Sequence, residues 1–569
     1  MDIGIVGTGP AADAIEAAMA DLDARIVEIG SGDFADVGFC FVVGATGADA
    51  FGAAADSDAL SRWVAVEIGG IGGYAVEGTD ATVSTFTPSS GCYHCLQQRV
   101  AATTEPTDES PSASTSAVRF AGALAGRRAT RVLTGEDLGG TVVEVEGAER
   151  EFQPVPFCGC HPGRDRMLSL DYEETELDPT LTRAEAAVDE RVGMIEQVGE
   201  QASFPLPYYM AANSETTGFS DASAAPFAAG AAVDWNEAYM KALGEAMERY
   251  AAGIYRNAEF RRAPATALDD AVSPTRFVTA DRYDPDPSVE RPWVPGLDLD
   301  SEDGVWLPAE VVHYPPPETR IKPPITTGLG LGSSTVEATV SGLSEVIERD
   351  ATMLSWYSDY EPLGLSVDDD RFAALRKRAA SEELDVTVTL LTQDVDVPVV
   401  AATVHREGGA WPRFAAGSGA DLDPVAAATG ALAEALQNWI ELRDMGPEQA
   451  SEEGGAIGEY ADFPRRAREL THPETTIPAD SVADDAADRS GEAALDALIE
   501  RADDAGLSAY AARTTTRDVA GLGFEGVRVV VPKAQPLFTG EPFFGDRLAR
   551  VAASMGYEAK PGRAYHPFP

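Results

Sequence analysis

Two stretches one hundred residues apart carry the same set of carboxylates and a guanidinium. Lys241-Ala-Leu243-Gly-Glu245-Ala-Met-Glu248-Arg249 and Leu343-Ser-Glu345-Val-Ile-Glu348-Arg349 both read Leu-x-Glu-x-x-Glu-Arg, with alanine two residues on. A glycine-rich turn, Gly328-Leu-Gly-Leu-Gly-Ser333-Ser-Thr-Val-Glu337, precedes the second copy. On a helix, the spacings from Glu337 to Glu345 to Glu348 line the carboxylates along one side. A third stretch, Glu434-Ala-Leu-Gln437, is a weaker echo. Three helices presenting acids in register would suit hard cations, which prefer carboxylate oxygens and bring phosphates with them. A single Glu-x-x-Glu-Arg is usually a solvated face. By the helical wheel, Lys241, Glu245, Glu248 and Arg249 lie opposite the apolar Leu243, Ala246, Met247 and Tyr250, as such a face would. The repetition and the glycine run argue for a site.

Four of the five cysteines form two pairs, Cys92-Tyr-His-Cys95 and Cys158-Gly-Cys160. Four thiolates suit tetrahedral zinc in a closed, structural site. A redox Cys-x-x-Cys is the rival reading, and His94 and His161 could substitute as ligands. Cys40, inside the apolar run Val37–Val43, reads as a buried strand residue.

The elements that must position these groups are legible in outline. Ile3–Val6, the turn Gly7-Thr-Gly9-Pro10-Ala-Ala, a helix over Asp13–Leu22 and a strand over Arg25–Ile29 begin a Rossmann-like unit. Phe39–Val43 and Trp63–Ile68 continue it. Pro10 withdraws an N–H from any phosphate at the turn, so the unit reads as a scaffold and not as a nicotinamide site. Thr103–Ser116 is polar and of low complexity, a flexible loop between the cysteine pairs. Val118–Leu133 reads as a helix and Thr141–Val145 as a strand. The acidic Asp165–Asp178 reads as a connector. Beyond it we expect a first motif helix over Asn236–Tyr255 and a loop over Tyr283–Pro317 holding short strands at Val305–Leu307 and Glu310–His313. Strands at Val386–Leu391 and Val399–Val404, a third helix over Pro424–Arg443 and a surface excursion over Ala450–Arg489 follow. The fold class is α/β and α+β. There is no G-x-x-x-x-G-K-[ST], so an ATP site would have to compensate phosphate charge with metals on carboxylates, plus arginines.

Acids outnumber bases 94 to 43, and only five bases are lysines. Such a surface opposes nucleic acid as a partner. It looks like a protein of a high-salt (halophilic) cytoplasm, and the charge reports habitat and not substrate. No apolar stretch is long enough to span a membrane, and the expected location is cytoplasmic.

The paired motifs, the glycine run before the second and the Glu-x-x-Gln after it resemble the YcaO family over about residues 180–569. Pro88-Ser-Ser-Gly-Cys92-Tyr-His-Cys95-Leu-Gln-Gln-Arg99 resembles, more loosely, the ThiF-like domains that accompany YcaO proteins in azole-forming cyclodehydratases, over about residues 1–165. The expected domains are therefore 1–178, ThiF-like with a structural zinc site and the loop 103–116, and 179–569, a mixed α+β YcaO domain that binds ATP. The resemblance implies that a Cys, Ser or Thr side chain, or an external sulfide, adds to a peptide carbonyl. The resulting oxyanion takes the γ-phosphoryl of ATP, and phosphate departs. Glu245, Glu248, Glu345 and Glu348 would then carry magnesium, with Arg249 and Arg349 facing phosphate or bracing them. Ser333 and Glu337 would hold nucleotide, and Glu434 and Gln437 would close the third side. Ser333 stands where the family pattern expects Asn. Family members tend to end Pro-x-Pro-x-Pro; this chain ends His566-Pro-Phe-Pro569, and the carboxylate of Pro569 is the candidate base, with a frayed surface tail as the alternative. The product would be an azoline of a ribosomally made, bacteriocin-type peptide. The alternatives are a protein thioamide, or a non-catalytic peptide-binding scaffold. A flavin dehydrogenase partner would accompany the first and a sulfur donor the second; a homodimer is expected.

Overall fold

A computed structural model describes residues 2–104, 111–161, 163–452 and 455–569. The chain opens with β1 (Asp2–Val6), α1 (Pro10–Met19), β2 (Arg25–Glu28), β3 (Phe39–Ala45), β4 (Trp63–Ile68), β5 (Ala81–Phe86), α2 (Tyr93–Thr103), α3 (Thr115–Leu133), β6 (Thr141–Glu144) and β7 (Glu149–Glu151). These strands form one sheet in the order β2-β1-β3-β4-β5-β6-β7. The first four run parallel, with α1 as a crossover, and the remaining pairings are antiparallel. Continuous apolar runs such as Phe39–Val43 suit parallel strands covered on both faces; Cys40 is fully buried there. The N-terminal part is Rossmann-like, and α3 packs along α1.

Three further sheets follow, each carrying one strand that runs straight into a long helix. β8 (Phe227–Ala231) leads to α5 (Trp235–Gly253), β9 (Leu329–Gly332) to α6 (Thr335–Trp356), and β10 (Phe414–Ala420) to α7 (Pro424–Ala450); α4 (Leu177–Glu185) lies before them. Each helix starts on a side-chain cap. Asp234 accepts from Glu237 N–H, Ser334 from Glu337 N–H, and Asp423 from Val425 and Ala426 N–H, satisfying donors with no partner inside the helix. Each strand also lies against its own helix at a glycine. A Cβ on Gly230, Gly330 or Gly417 would sit 2.1–2.4 Å from backbone atoms of Ala242, Ala338 or Ala435. Only glycine permits that approach, and it brings the N-terminal half of each helix against its strand.

Several expectations need correction. The run Gly328–Gly332 is not simply a turn, since β9 pairs antiparallel with Glu525–Val530. Glu310–His313 is not a strand, because Ala309–Val312 closes a helical turn after Pro308. Arg291–Asp298 is a full strand inside the expected loop despite Pro292 and Pro295. Residues 450–489 are not a surface excursion. Tyr460, Phe463, Ala467 and Leu470 enter the main core, and Thr476–Pro478 pairs with Leu363–Ser366. Within the expected loop 103–116, Thr103 ends α2 and Thr115 begins α3, while residues 105–110 lie outside the described residues. The expected boundary at 178/179 falls inside α4, where Pro179 occupies the first turn and no intrahelical donor is needed. Among the described residues, no helix is long and apolar enough to cross a membrane.

One apolar cluster joins the N-terminal part to the rest. Tyr93, Leu96 and Val100 of α2 share it with Leu243, Met247 and Tyr250 of α5. At its centre lies a fully buried ion pair. Arg99 on α2 donates to Asp518 at 2.5 Å and to the Tyr250 hydroxyl at 3.1 Å, and that hydroxyl donates to Asp518 at 2.7 Å.

Candidate functional site

The polar faces of α5, α6 and α7 do not look outward. They converge on one cavity of about 740 Å³, lined by Glu245, Glu248, Arg249, Ser333, Glu337, Glu345, Glu348, Arg349, Glu434 and Gln437. The face is therefore not an ordinary solvated one; the Glu248 and Glu348 side chains are 15% and 12% exposed, and Glu245, at 37%, lies more open.

Each motif arginine braces its own glutamates. Arg249 donates to Glu248 at 2.6 Å and to Glu245 at 3.0 Å. Arg349 lies 3.6 Å from Glu348 and 3.5 Å from Glu434, so it ties α6 to α7. Ser418 at the end of β10 completes that corner. Its hydroxyl donates to Glu348 at 2.7 Å and its N–H to Glu434 at 2.5 Å. Glu345 accepts from Gly328 N–H at 2.9 Å, and Glu337 accepts from Ser333 N–H at 2.8 Å. With Ser334 as cap, Glu337 therefore works much like the acid of a capping box. The Ser333 hydroxyl receives bonds from Thr175 and from Arg183 of α4. Gln437 donates to Glu441, which also accepts from Tyr208.

The carboxylates outweigh the cations that brace them. Burial pushes Glu248 up to about 8; Arg249 opposes the rise, and repulsion from Glu245 and Glu345 adds to it. Burial pushes Glu348 up to about 7, with Glu434 adding to it. Burial also raises Glu245 and lowers Lys241 on the same wall. Such a site gains from added positive charge. Its donors are all oxygens, and among the described residues no three of its acids approach one another as closely as the four cysteines do. An open oxygen set suits Mg2+, which keeps waters and is held by one or two carboxylates plus phosphate, better than an all-protein cage.

The cysteine pairs, far apart in sequence, meet in space. Cys92 Sγ lies 3.5 Å from Cys158 Sγ, and Cys95 Sγ 3.5 Å from Cys160 Sγ, with all four sulfurs within 4.8 Å. Four thiolates around one zinc, with Zn–S of about 2.3 Å, stand roughly 3.8 Å apart, so the set fits a tetrahedral ion. The histidines are engaged elsewhere, His94 with Asp56 and Gln97 and His161 with the Ser90 carbonyl.

The C-terminal tail is docked and not frayed. His566, Pro567 and Phe568 are buried, and Phe568 joins the core packed on α6. Burial pushes His566 down to about 4, and Arg349 is close enough to add to the effect. Pro569 is half-buried and is not among the residues lining the cavity. Ser418, Gly328 N–H and Lys241 were not assigned from sequence. A signal for Ser418 existed: Phe414-Ala-Ala-Gly-Ser418 repeats Phe227-Ala-Ala-Gly-Ala231, the strand before the first motif helix.

Residues 229–535, just over half of the chain, match the family model described as YcaO cyclodehydratase, ATP- and Mg2+-binding. The chain belongs to the YcaO family. Membership makes it an ATP-dependent enzyme of the cyclodehydratase class. An uncharacterized protein of Methanothermobacter thermautotrophicus is 29% identical over 328 residues, 55% of this chain and 82% of that protein. An uncharacterized protein in the tfuA 3′ region of Rhizobium leguminosarum bv. trifolii is 29% identical over 165 residues, 26% of this chain and only 39% of that protein. Two solved structures share the fold at 19% identity over 98% of this chain. A heterocyclase in complex with substrate and cofactor has a TM-score of 0.74 over 83% of its length, and the heterocyclase TruD 0.68 over 82%. The fold shared with the two heterocyclases thus accounts for the mixed α/β architecture over 98% of the chain.

Proposed function

We propose that this YcaO protein activates a peptide backbone amide by ATP-dependent phosphorylation and closes a Cys, Ser or Thr side chain onto it as an azoline. One observation carries the reading: both Glu-x-x-Glu-Arg helices and the Glu434–Gln437 helix turn their polar faces into a single cavity. Glu245, Glu248, Glu345 and Glu348 would hold Mg2+, which supplies charge neutralisation at the phosphates. Arg249 and Arg349, braced by their glutamates, present guanidinium edges to phosphate oxygens. Lys241 adds a cation at the mouth, and Ser333, Glu337, Glu434 and Gln437 orient the nucleotide. The cavity walls hold amide and phosphoryl group together and limit water, so transfer to the amide oxyanion competes with hydrolysis. The reading draws further support from the heterocyclase fold shared over 98% of the chain.

The test is the mass of the product. A Cys-, Ser- or Thr-bearing peptide encoded beside the gene, incubated with enzyme, ATP and Mg2+, should lose one water per ring with release of phosphate. Exchange of oxygen for sulfur, dependent on added sulfide, would contradict azoline formation and assign the site to thioamidation.

Within the same reading, the chain up to α4 forms a ThiF-like zinc-bearing unit and the remainder the ATP-binding unit, and Cys92, Cys95, Cys158 and Cys160 hold one structural zinc. Purified protein should contain about one equivalent of zinc, and Cys92→Ser should lose it. Metal-free wild type would overturn the assignment.

A further inference from the structure

A small buried chamber lies behind the second motif arginine. Its volume is about 30 Å³, and Lys322, Arg349 and Arg528 contribute three cationic side chains to its lining while no aspartate or glutamate does. Most of the remaining wall is apolar, including Val346 and Val529–Val531, with Thr327 and Gln535 as its polar members. We propose that this chamber is a binding site for one halide-sized monovalent anion, held between Lys322, Arg528 and Arg349.

The nearby acids are committed elsewhere. Glu310, the acid that bears most on Lys322, is paired with Arg291 at 3.0 Å and accepts the N–H groups of Arg320 and Ile321. Glu348 and Glu434 engage Arg349 from the opposite side, in the large cavity. Arg528 spends its two terminal nitrogens on the carbonyls of Ile325 and Thr326. Its Nε, in a side chain that is 97% buried, has no partner. No hydrogen bond within the described protein involves the Lys322 ammonium. The Arg528 Nε is thus a buried, charged donor left without a partner, which is destabilising, and the half-buried Lys322 ammonium beside it is also unpaired. An anion in the chamber satisfies both donors at once.

Size selects the class of ligand. A chamber of this volume takes one or two waters or a single monatomic anion, and has no room for phosphate or a nucleotide. Water could accept from both donors, but it adds no negative charge inside the chamber, where only Glu345 and Glu248, from outside its lining, offset Arg528. The ligand-free electrostatics agree: burial pushes Lys322 down to about 7, and Arg528 alongside adds to the shift. Because Arg349 lines both chambers, the anion would attract its guanidinium from the small chamber and so restrain its position.

Bromide is the probe. Crystals of the full chain, grown in bromide and measured at the bromine edge, should show an anomalous peak inside the chamber. The peak should vanish in Lys322→Met, and in Ala534→Val, which fills the space and keeps all three cations. In solution, replacing potassium glutamate by potassium chloride should raise the melting temperature of wild type more than that of either variant. The two variants fail for different reasons, so a folding defect in one leaves the other decisive. A wild-type chamber without bromide, or a peak that survives both substitutions, overturns the proposal.

Discussion

Glu248→Gln and Glu348→Gln will each cut ATP turnover by about three powers of ten while leaving the fold intact. A carboxamide keeps the size and one oxygen but removes the charge that a hard cation requires. Metal neutralisation of the phosphates is worth several kcal/mol in the transition state, at about 1.4 kcal/mol per tenfold in rate. Stability should hardly move, and the reason is local. Burial already shifts Glu248 and Glu348 toward the protonated form in the ligand-free protein, so the amide resembles that neutral state. Thermal melts and phosphate release with peptide in high-potassium buffer separate the two effects. Variants that turn over ATP at the wild-type rate would mean that the carboxylates belong to an ordinary polar face.

The second large effect concerns stability. Asp518→Asn leaves the Arg99 guanidinium fully buried with its counter-charge gone, which costs about 3–5 kcal/mol. Replacing both partners by apolar residues, as in Arg99→Met with Asp518→Leu, should recover much of that loss, since no unpaired charge then remains. Denaturant midpoints of the single and double variants decide it. A single variant as stable as wild type would show that water reaches the pair. The same pair fastens α2, which carries Cys95, to Tyr250 of α5, two residues beyond Glu248. The destabilised variant should therefore also lose ATP affinity before it unfolds.

Much of the site was legible because its residues sit at helical spacings. Leu-x-Glu-x-x-Glu-Arg encodes both the apolar seam and the acid row, and the six acids and arginines of its two copies line one cavity together with Ser333, Glu337, Glu434 and Gln437. The cysteines were legible for another reason, since close pairs of thiols in a short window have few uses. What stayed hidden depends on contacts between distant segments. Ser418 matters only because β10 brings its N–H and hydroxyl between Glu348 and Glu434. The Gly328 N–H matters because β9 pairs with Glu525–Val530 and aims it at Glu345. Lys322 looks like any lysine until the chain folds over it. Strand Arg291–Asp298 was hidden by its prolines, which usually oppose strand interiors. The 450–489 segment is polar in composition, yet Tyr460 and Phe463 anchor it by stacking near Phe414. Composition averages over such anchors.

The account stands or falls on whether the two glutamate helices hold the metal against the nucleotide. Crystals of the protein with Mn2+ in place of Mg2+ and a non-hydrolysable ATP analogue, measured for manganese anomalous scattering, test this most directly. The account predicts manganese peaks bonded to carboxylates of Glu245, Glu248, Glu345 or Glu348, with the analogue's phosphates between α5 and α6. Nucleotide seated outside that cavity, or manganese only on surface carboxylates, would contradict it.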